Sequence, residues 1–166
     1  VHPSDTAPAL VALGAQFHIA GPSGERTVPA SEFFVLPKQN AAHENVLAQD
    51  EILASIHIPA PKAGTKSTYH KVMDREAWTH AVVSAAVVLE MDKGTCRSAR
   101  IVLGGVAPIP WHLPEAEKLL AGQKITPELA AQVGEASIKG AQPLAKNAYK
   151  LPLTSATVKD TLLGLA

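Results

Sequence analysis

The chain has 166 residues, of which 46 % are hydrophobic and 18 % charged, and its 15 basic and 15 acidic residues give a formal net charge of zero. This composition predicts one folded domain of ordinary size, or a domain with a smaller appendage, around a hydrophobic core. The balanced charge argues against nucleic acid or an anionic membrane surface as the main partner. No stretch approaches the roughly 18 consecutive apolar residues of a membrane helix.

The first sixty residues predict short elements separated by turns. Ser4 or Asp5 is placed as an N-cap and Gly14 as a C-cap, which indicates a helix of about two turns. The elements predicted after it are a hairpin with strands at 15–20 and 27–28, a helical turn at 30–36 with Phe33 and Phe34 inward, a polar loop at 37–49 and a strand at 51–58.

The stretch at 66–91 joins a charge cluster to a long apolar run. The cluster holds Lys71, Asp74, Arg75 and Glu76, and the apolar run at 82–89 is rich in β-branched residues. We interpret this run as a buried strand, although its alanines leave a helix as the rival. A polar turn with one Gly and a second strand-like run at 98–103 favour a β-hairpin. The Pro-rich segment at 59–64 is the best internal boundary.

The last part of the chain predicts three helices. A Gly- and Pro-rich segment at 104–111 is predicted to be irregular. The helices follow at 116–122, from Thr126 to about Gly140, and at 155–165. Strands followed by helices indicate an α+β fold with three helices on one face of an antiparallel sheet.

Taken one by one, the residues that could carry chemistry have plain alternatives. Asp5 is a helix cap or an acceptor for ligand hydroxyls, with the cap favoured. Lys71 and Arg75 could meet an anion, but a solvated pair balanced by Asp74 and Glu76 is favoured. Gly104-Gly105 could let a ligand approach, or form a sharp turn. The sequence also lacks a nucleophile elbow, a P-loop and a metal-ligand motif, and its single cysteine, Cys96, is interpreted as a small apolar filler.

Several segments together resemble the C-terminal part of the FAD-binding subunit of molybdenum hydroxylases, the family of xanthine dehydrogenase, carbon monoxide dehydrogenase and aldehyde oxidoreductase. The segments are HPSDTAPALVALGA at 2–15, EFF at 32–34, DEILASIHIP at 50–59, YHKV at 69–72, DREA at 74–77, AVVSAAV at 81–87, ARIVLGGVAPIP at 99–110 and AE at 116–117. They occur in the family's order and spacing. Segments 33–37 and 149–153 look most like the bacterial aldehyde oxidoreductase branch.

The resemblance implies the end of a flavin-binding domain at 1–60 and a carbon monoxide dehydrogenase flavoprotein-like C-terminal domain at 61–166. The family's Gly-rich loops for the FAD pyrophosphate have no counterpart here, so a fragment of a longer subunit is expected. Asp5 matches an acidic residue at the ribityl or phosphate region, Leu53 an apolar residue packed by the flavin, and Lys71 a lysine near the isoalloxazine edge. Ser4 and Thr6 are possible neighbours, and Trp78 and His80 receive no role.

The resemblance also implies a role in electron exit. In the family, electrons pass from a molybdopterin centre through iron–sulfur clusters, on partner subunits, to this FAD and then to NAD, oxygen or another acceptor. No catalytic residue is expected here, and the isolated piece is expected to be inactive. The alternative is a non-catalytic assembly module that docks to the iron–sulfur and molybdopterin subunits and binds no flavin alone. A cytoplasmic location is expected, with export to the bacterial periplasm as the alternative.

Overall fold

The structure, a computed structural model, describes residues 1–166 and contains two antiparallel sheets. The three-stranded sheet, in the order β2-β1-β3, consists of β1 (Gln16–Gly21), β2 (Gly24–Pro29) and β3 (Ile52–His57). The four-stranded sheet, in the order β4-β5-β6-β7, consists of β4 (Thr65–Val72), β5 (Val83–Asp92), β6 (Thr95–Gly104) and β7 (Trp111–His112). The helices are α1 (Thr6–Ala12), α2 (Ala30–Phe33), α3 (Pro114–Glu117), α4 (Pro127–Ser137) and α5 (Lys150–Leu163).

Strand β5 lies at the centre of the core because both of its faces are covered. Ala85, Val87 and Leu89 belong to the larger apolar cluster, which α3, α4 and α5 close from one side. Ala86, which points the other way, belongs to a second cluster with α1, α2 and β1. A strand covered on both faces needs a continuous apolar run, which the segment at 82–89 supplies. The predicted α+β fold, with three helices on one face of an antiparallel sheet, is confirmed.

The hairpin between β5 and β6 closes through a two-residue turn. Lys93 has φ +48° and Gly94 has φ +80°, so both central residues are left-handed. Two left-handed residues are typical of the type I′ turn, whose twist suits the flanking antiparallel strands. The strand interpretation of the apolar run is therefore correct, and its helical rival is wrong.

Of two later helices, one begins where predicted and the other begins earlier. Helix α4 begins where predicted, because the Thr126 hydroxyl accepts a hydrogen bond of 3.2 Å from the Leu129 N–H. Helix α5 begins at Lys150, five residues before the predicted start at 155. Pro152 lies in its first turn, where a missing N–H leaves no hydrogen bond unmade. No helix is both long enough and apolar enough to cross a membrane.

Two strand assignments also correct the sequence analysis. Strand β4 was not predicted, since an edge strand with mostly exposed side chains has a polar sequence. The segment at 104–111 was predicted to be irregular throughout, but Gly104 ends β6 and Trp111 begins β7, where it pairs with Leu103. Cys96 is fully buried, and burial raises the pKa of its thiol, as expected of an apolar filler.

Candidate functional site

Asp5 and Lys71 form an ion pair between the start of α1 and the end of β4. The Lys71 Nζ lies 2.6 Å from Asp5 Oδ2 and donates a second hydrogen bond of 2.8 Å to the Thr79 carbonyl. The Lys71 side chain is 20 % exposed and the Asp5 side chain 45 %, so the pair is reachable from solvent. The favoured interpretation of Lys71, a solvated charge balanced by Asp74 and Glu76, is wrong, because its partner lies 66 residues earlier in the chain.

Tyr69 completes this cluster, and the sequence analysis gave it no role. Its hydroxyl donates a hydrogen bond of 2.9 Å to Asp5 Oδ1. Tyr69 and Lys71 are two positions apart on β4, so both side chains point to the face that carries α1. Recognition of β4 as a strand would have placed these two side chains together. We call Asp5, Tyr69 and Lys71 the polar triad.

The electrostatics of the polar triad keep Asp5 ionised. Partial burial by itself would raise the Asp5 pKa, but hydrogen bonds from Lys71 and Tyr69, with the charges of Lys71 and His80, outweigh it, and the pKa is lowered. Burial of the phenol, together with the adjacent Asp5 carboxylate, raises the pKa of Tyr69 to about 12. The triad is therefore a carboxylate held in place by two hydrogen-bond donors.

Ser4 caps α1 in place of Asp5. The Ser4 hydroxyl oxygen accepts a hydrogen bond of 3.0 Å from the Ala7 N–H. Asp5 occupies the N-cap position, but its side chain makes no capping hydrogen bond. The favoured interpretation of Asp5 as a side-chain cap is therefore wrong. The cap by Ser4 leaves the Asp5 carboxylate free to turn towards β4.

Leu53 lies on the other sheet. On β3, Leu53 lies opposite Ile19 of β1. It is half-buried and packs against the cluster formed by α1, α2 and β1. Tyr69 packs against the same cluster from β4. Leu53 and the polar triad thus border one apolar cluster from two sheets, without a hydrogen bond to join them.

The Gly104-Gly105 pair is crowded by the chain itself. A Cβ on Gly105 would lie 2.7 Å from the Ala81 carbonyl oxygen, and its φ is +74°. A Cβ on Gly104 would meet the hydroxyl of Ser84, which faces Lys71 across the ladder, and would lie 2.9 Å from Pro8. These glycines therefore let the backbone pass close to α1 and to the start of β5, and of the two interpretations the sharp turn is the correct one. The Ser84 hydroxyl is fully buried behind the polar triad.

The loop that joins β4 to β5 projects from this part of the molecule. Trp78 is almost fully exposed and left-handed, with φ +56°. The Arg75 guanidinium donates to the Trp78 carbonyl, which ties the loop to itself. Arg75 is consequently directed at its own backbone and not at Lys71.

The polar triad and Ser4 offer a ligand a defined set of partners. The Asp5 carboxylate can accept from hydroxyl groups, and Lys71 retains a third N–H to donate. Ser4 accepts from the backbone and still has its hydroxyl hydrogen to donate. These groups suit a ligand with several hydroxyls and an electron-rich edge, and they contain no nucleophile paired with a base.

Comparison with known families divides the chain into two matched parts. Residues 1–61 match the FAD binding domain in molybdopterin dehydrogenase, and residues 68–165 match the CO dehydrogenase flavoprotein C-terminal domain. The polar triad takes Asp5 from the first part and its other two members from the second.

Individual relatives agree with the family match. The aldehyde oxidoreductase FAD-binding subunit PaoB of Escherichia coli (strain K12) is 32 % identical over 162 residues, which are 97 % of this chain and 48 % of that protein. The carbon monoxide dehydrogenase medium chain of Hydrogenophaga pseudoflava is 32 % identical over 143 residues, which are 86 % of this chain and 48 % of the relative. The chain thus spans about half the length of these relatives.

Solved structures give the same answer. A chain of carbon monoxide dehydrogenase from Hydrogenophaga pseudoflava superposes with a TM-score of 0.85 at 31 % identity, over 97 % of this chain and 58 % of that one. A chain of quinoline 2-oxidoreductase from Pseudomonas putida 86 superposes with a TM-score of 0.81 at 29 % identity, over 95 % and 54 %. The family resemblance found in the sequence is therefore confirmed. The chain belongs to the CO dehydrogenase flavoprotein family, and its residues 1–61 match the FAD-binding domain of molybdopterin dehydrogenases.

Proposed function

We propose that this chain is the C-terminal part of an FAD-binding subunit in a molybdenum-dependent oxidoreductase of the aldehyde or xanthine dehydrogenase type. The subunit receives electrons from iron–sulfur clusters and passes them to an external acceptor. The observation that carries the proposal is the polar triad, a reachable carboxylate and cation held where the two family-matched parts meet. Relatives that are FAD-binding or medium subunits support it.

The residues of the polar triad fit one border of a flavin. Asp5 would accept hydrogen bonds from the ribityl hydroxyls, with Ser4 beside it. Leu53 would offer an apolar contact on the side of the three-stranded sheet, and Thr6 is exposed next to Asp5. The Gly-rich loops that hold the pyrophosphate in the family are expected in the other half of the subunit. The domain division that we propose, at residues 1–60 and 61–166, places Asp5 and Lys71 in different domains.

Lys71 would tune the cofactor electrostatically. FAD, when bound, supplies the chemistry of electron transfer, and the protein supplies position and charge. A cation near the isoalloxazine edge favours the more negative, reduced flavin. Its pairing with Asp5 and with the Thr79 carbonyl holds that cation at one place. Lys71 therefore raises the reduction potential of the bound flavin.

Redox titration of the FAD in the complete subunit tests this role. Lys71→Ala removes the cation and leaves the Asp5 carboxylate unneutralised, so the potential should fall by roughly 30 mV, the two-electron equivalent of about 1.4 kcal/mol. Lys66→Ala is the matched control, because Lys66 lies on the same strand but donates to the Leu165 carbonyl at the far end of the chain. An unchanged potential in Lys71→Ala, or an equal fall in both variants, would remove Lys71 from the site.

A second candidate function is supported by exposed apolar residues on and next to β3. Ile52 and Ile56 of the edge strand β3 are 66 % and 43 % exposed, and Ile58, which comes directly after the strand, is 47 % exposed. Exposed apolar residues on a sheet edge are typical of a surface that another chain or domain covers. The chain would then be an assembly module for the iron–sulfur and molybdopterin subunits that binds no flavin alone.

Two measurements separate the candidates. The first function predicts flavin absorbance in the complete subunit and a lower reduction potential of that flavin in Lys71→Ala. The assembly module predicts a colourless chain that still co-purifies with its partner subunits and loses them in Ile56→Lys. The partner subunits that we propose, an iron–sulfur subunit and a molybdopterin subunit, would be identified by their metal content. We place the complex in the cytoplasm, and fractionation of cells against a periplasmic marker tests that location.

A further inference from the structure

A cavity of about 480 Å³ lies on the helix-covered side of the four-stranded sheet. It is bounded by the segment after β6, by the connection from α4 to α5, and by the first turn of α5. Leu103 lines it, whereas its neighbours Val102 and Gly104 point to the face that carries α1. The cavity and the polar triad therefore lie on opposite faces of one sheet. Its volume is within the range of small-molecule sites.

The polar groups around this cavity are mainly hydrogen-bond donors. Lys139 and Lys150 are its only ionisable lining residues, and no acidic residue lines it. Asn147 accepts from the Leu144 N–H at 2.6 Å through its oxygen, so its free end is the NH₂ group. Trp111 adds an indole N–H and an aromatic ring to the lining. A ligand here would need acceptor atoms and a negative charge.

Thr154 offers a hydroxyl group to the cavity. It lines the cavity, and its residue is only 5 % exposed. On the same helix, the Thr157 hydroxyl donates a hydrogen bond of 2.7 Å to the Leu153 carbonyl, and the Thr161 hydroxyl donates one of 2.6 Å to the Thr157 carbonyl. Thr154 makes no such bond. The Thr154 hydroxyl is therefore available to donate to an acceptor on a molecule bound in the cavity.

The position of α5 adds to the positive potential. Lys150, Leu151 and Thr154 belong to the start of this helix, and its first turn contains no acidic residue. The helix N-terminus carries a partial positive charge that favours an anion. The remaining lining is apolar, with Val106, Pro108 and Pro143 among its members. An anionic head and an apolar or aromatic body thus match the two parts of the lining.

We propose that this cavity binds a small organic anion, a carboxylate or sulfonate attached to an apolar ring system. The Thr154 hydroxyl, the Asn147 amide and the two lysines would hold the anionic head. Trp111 and the prolines would pack against the body. This site does not depend on the proposed flavin function, because none of its residues belongs to the polar triad.

Fluorescence titration of the purified subunit with 1-anilinonaphthalene-8-sulfonate tests the proposal. The neutral analogue N-phenyl-1-naphthylamine has the same ring body without the sulfonate. Lys139→Glu should weaken binding of the sulfonate about tenfold, and Thr154→Val about threefold. Binding of the neutral analogue should change less than about twofold in Lys139→Glu. Near-UV circular dichroism checks that each variant keeps the native fold.

Lys146→Glu is the matched control, since Lys146 lies in the same connection, is exposed, and does not line the cavity. It makes the same charge change and should leave sulfonate binding within about twofold. Equal losses in Lys139→Glu and Lys146→Glu would overturn the site, as would no binding by the native subunit. Binding by the subunit alone but not by the assembled enzyme would also overturn it, because a partner chain would then cover the cavity.

Discussion

The two sheets differ in how many of their faces are covered. Strand β5 of the four-stranded sheet has helices on one side and α1 with its cluster on the other. In the three-stranded sheet, β1 buries Phe17 and Ile19, but β3 buries none of its residues fully. The sequences of β5 and β3 are nevertheless both largely apolar. The comparison teaches that an apolar strand sequence does not by itself decide burial, because this chain covers most of β5 on both faces and leaves most of β3 exposed.

The largest expected effect compares a fully buried residue of β5 with an exposed residue of β3. Leu89→Ala leaves a cavity at a fully buried position on β5, and it should lower the free energy of unfolding by about 2–5 kcal/mol. Ile56→Ala on β3 should cost about 0.5 kcal/mol, because the side chain is already exposed. Urea denaturation of the same subunit measures both. Similar costs for the two variants would contradict the comparison.

An intermediate effect is expected at the entrance to β5. Gly105→Ala combines a left-handed φ with a Cβ at 2.7 Å from the Ala81 carbonyl, and it should cost about 3 kcal/mol. Gly122→Ala has φ +76° but open space around the new Cβ, so it should cost only about 1 kcal/mol. The difference in thermal unfolding between the two variants isolates the crowding. Equal destabilisation would mean that the backbone beside β5 can move aside.

The smallest effect concerns the ion pair between the start of α1 and β4. The pKa of Asp5 is lower in the folded protein than its ordinary value, so its contribution to stability is present above about pH 4 and is lost as the pH falls through the folded pKa. Asp5→Asn should therefore lower stability at pH 7 by less than about 1 kcal/mol, and the difference should shrink as the pH falls through the folded pKa. Denaturation across this range measures it. A difference that grows towards acid would have the wrong sign.

The sequence analysis predicted part of the candidate site. Lys71 and Asp5 were named through the family resemblance, while the residues taken alone favoured other partners for both. Tyr69 was missed because β4 is a polar edge strand, which has no apolar alternation to reveal it. Its role needed the strand assignment, since only a two-residue period places Tyr69 and Lys71 on one face. The cavity at Thr154 has no local signature, because its walls come from segments about fifty residues apart.

The sequence by itself determined what depends on neighbouring residues. The apolar run of β5, the Gly-containing turn at Gly94, the cap at Thr126 and the order of strands before helices all follow from local patterns and sterics. The ordered segments also identified the family. Only the tertiary structure decided the partners of Asp5 and Lys71 and the cavity beside α5. These features join residues far apart in the chain, and side-chain pairing across such distances is set by packing and not by local propensity.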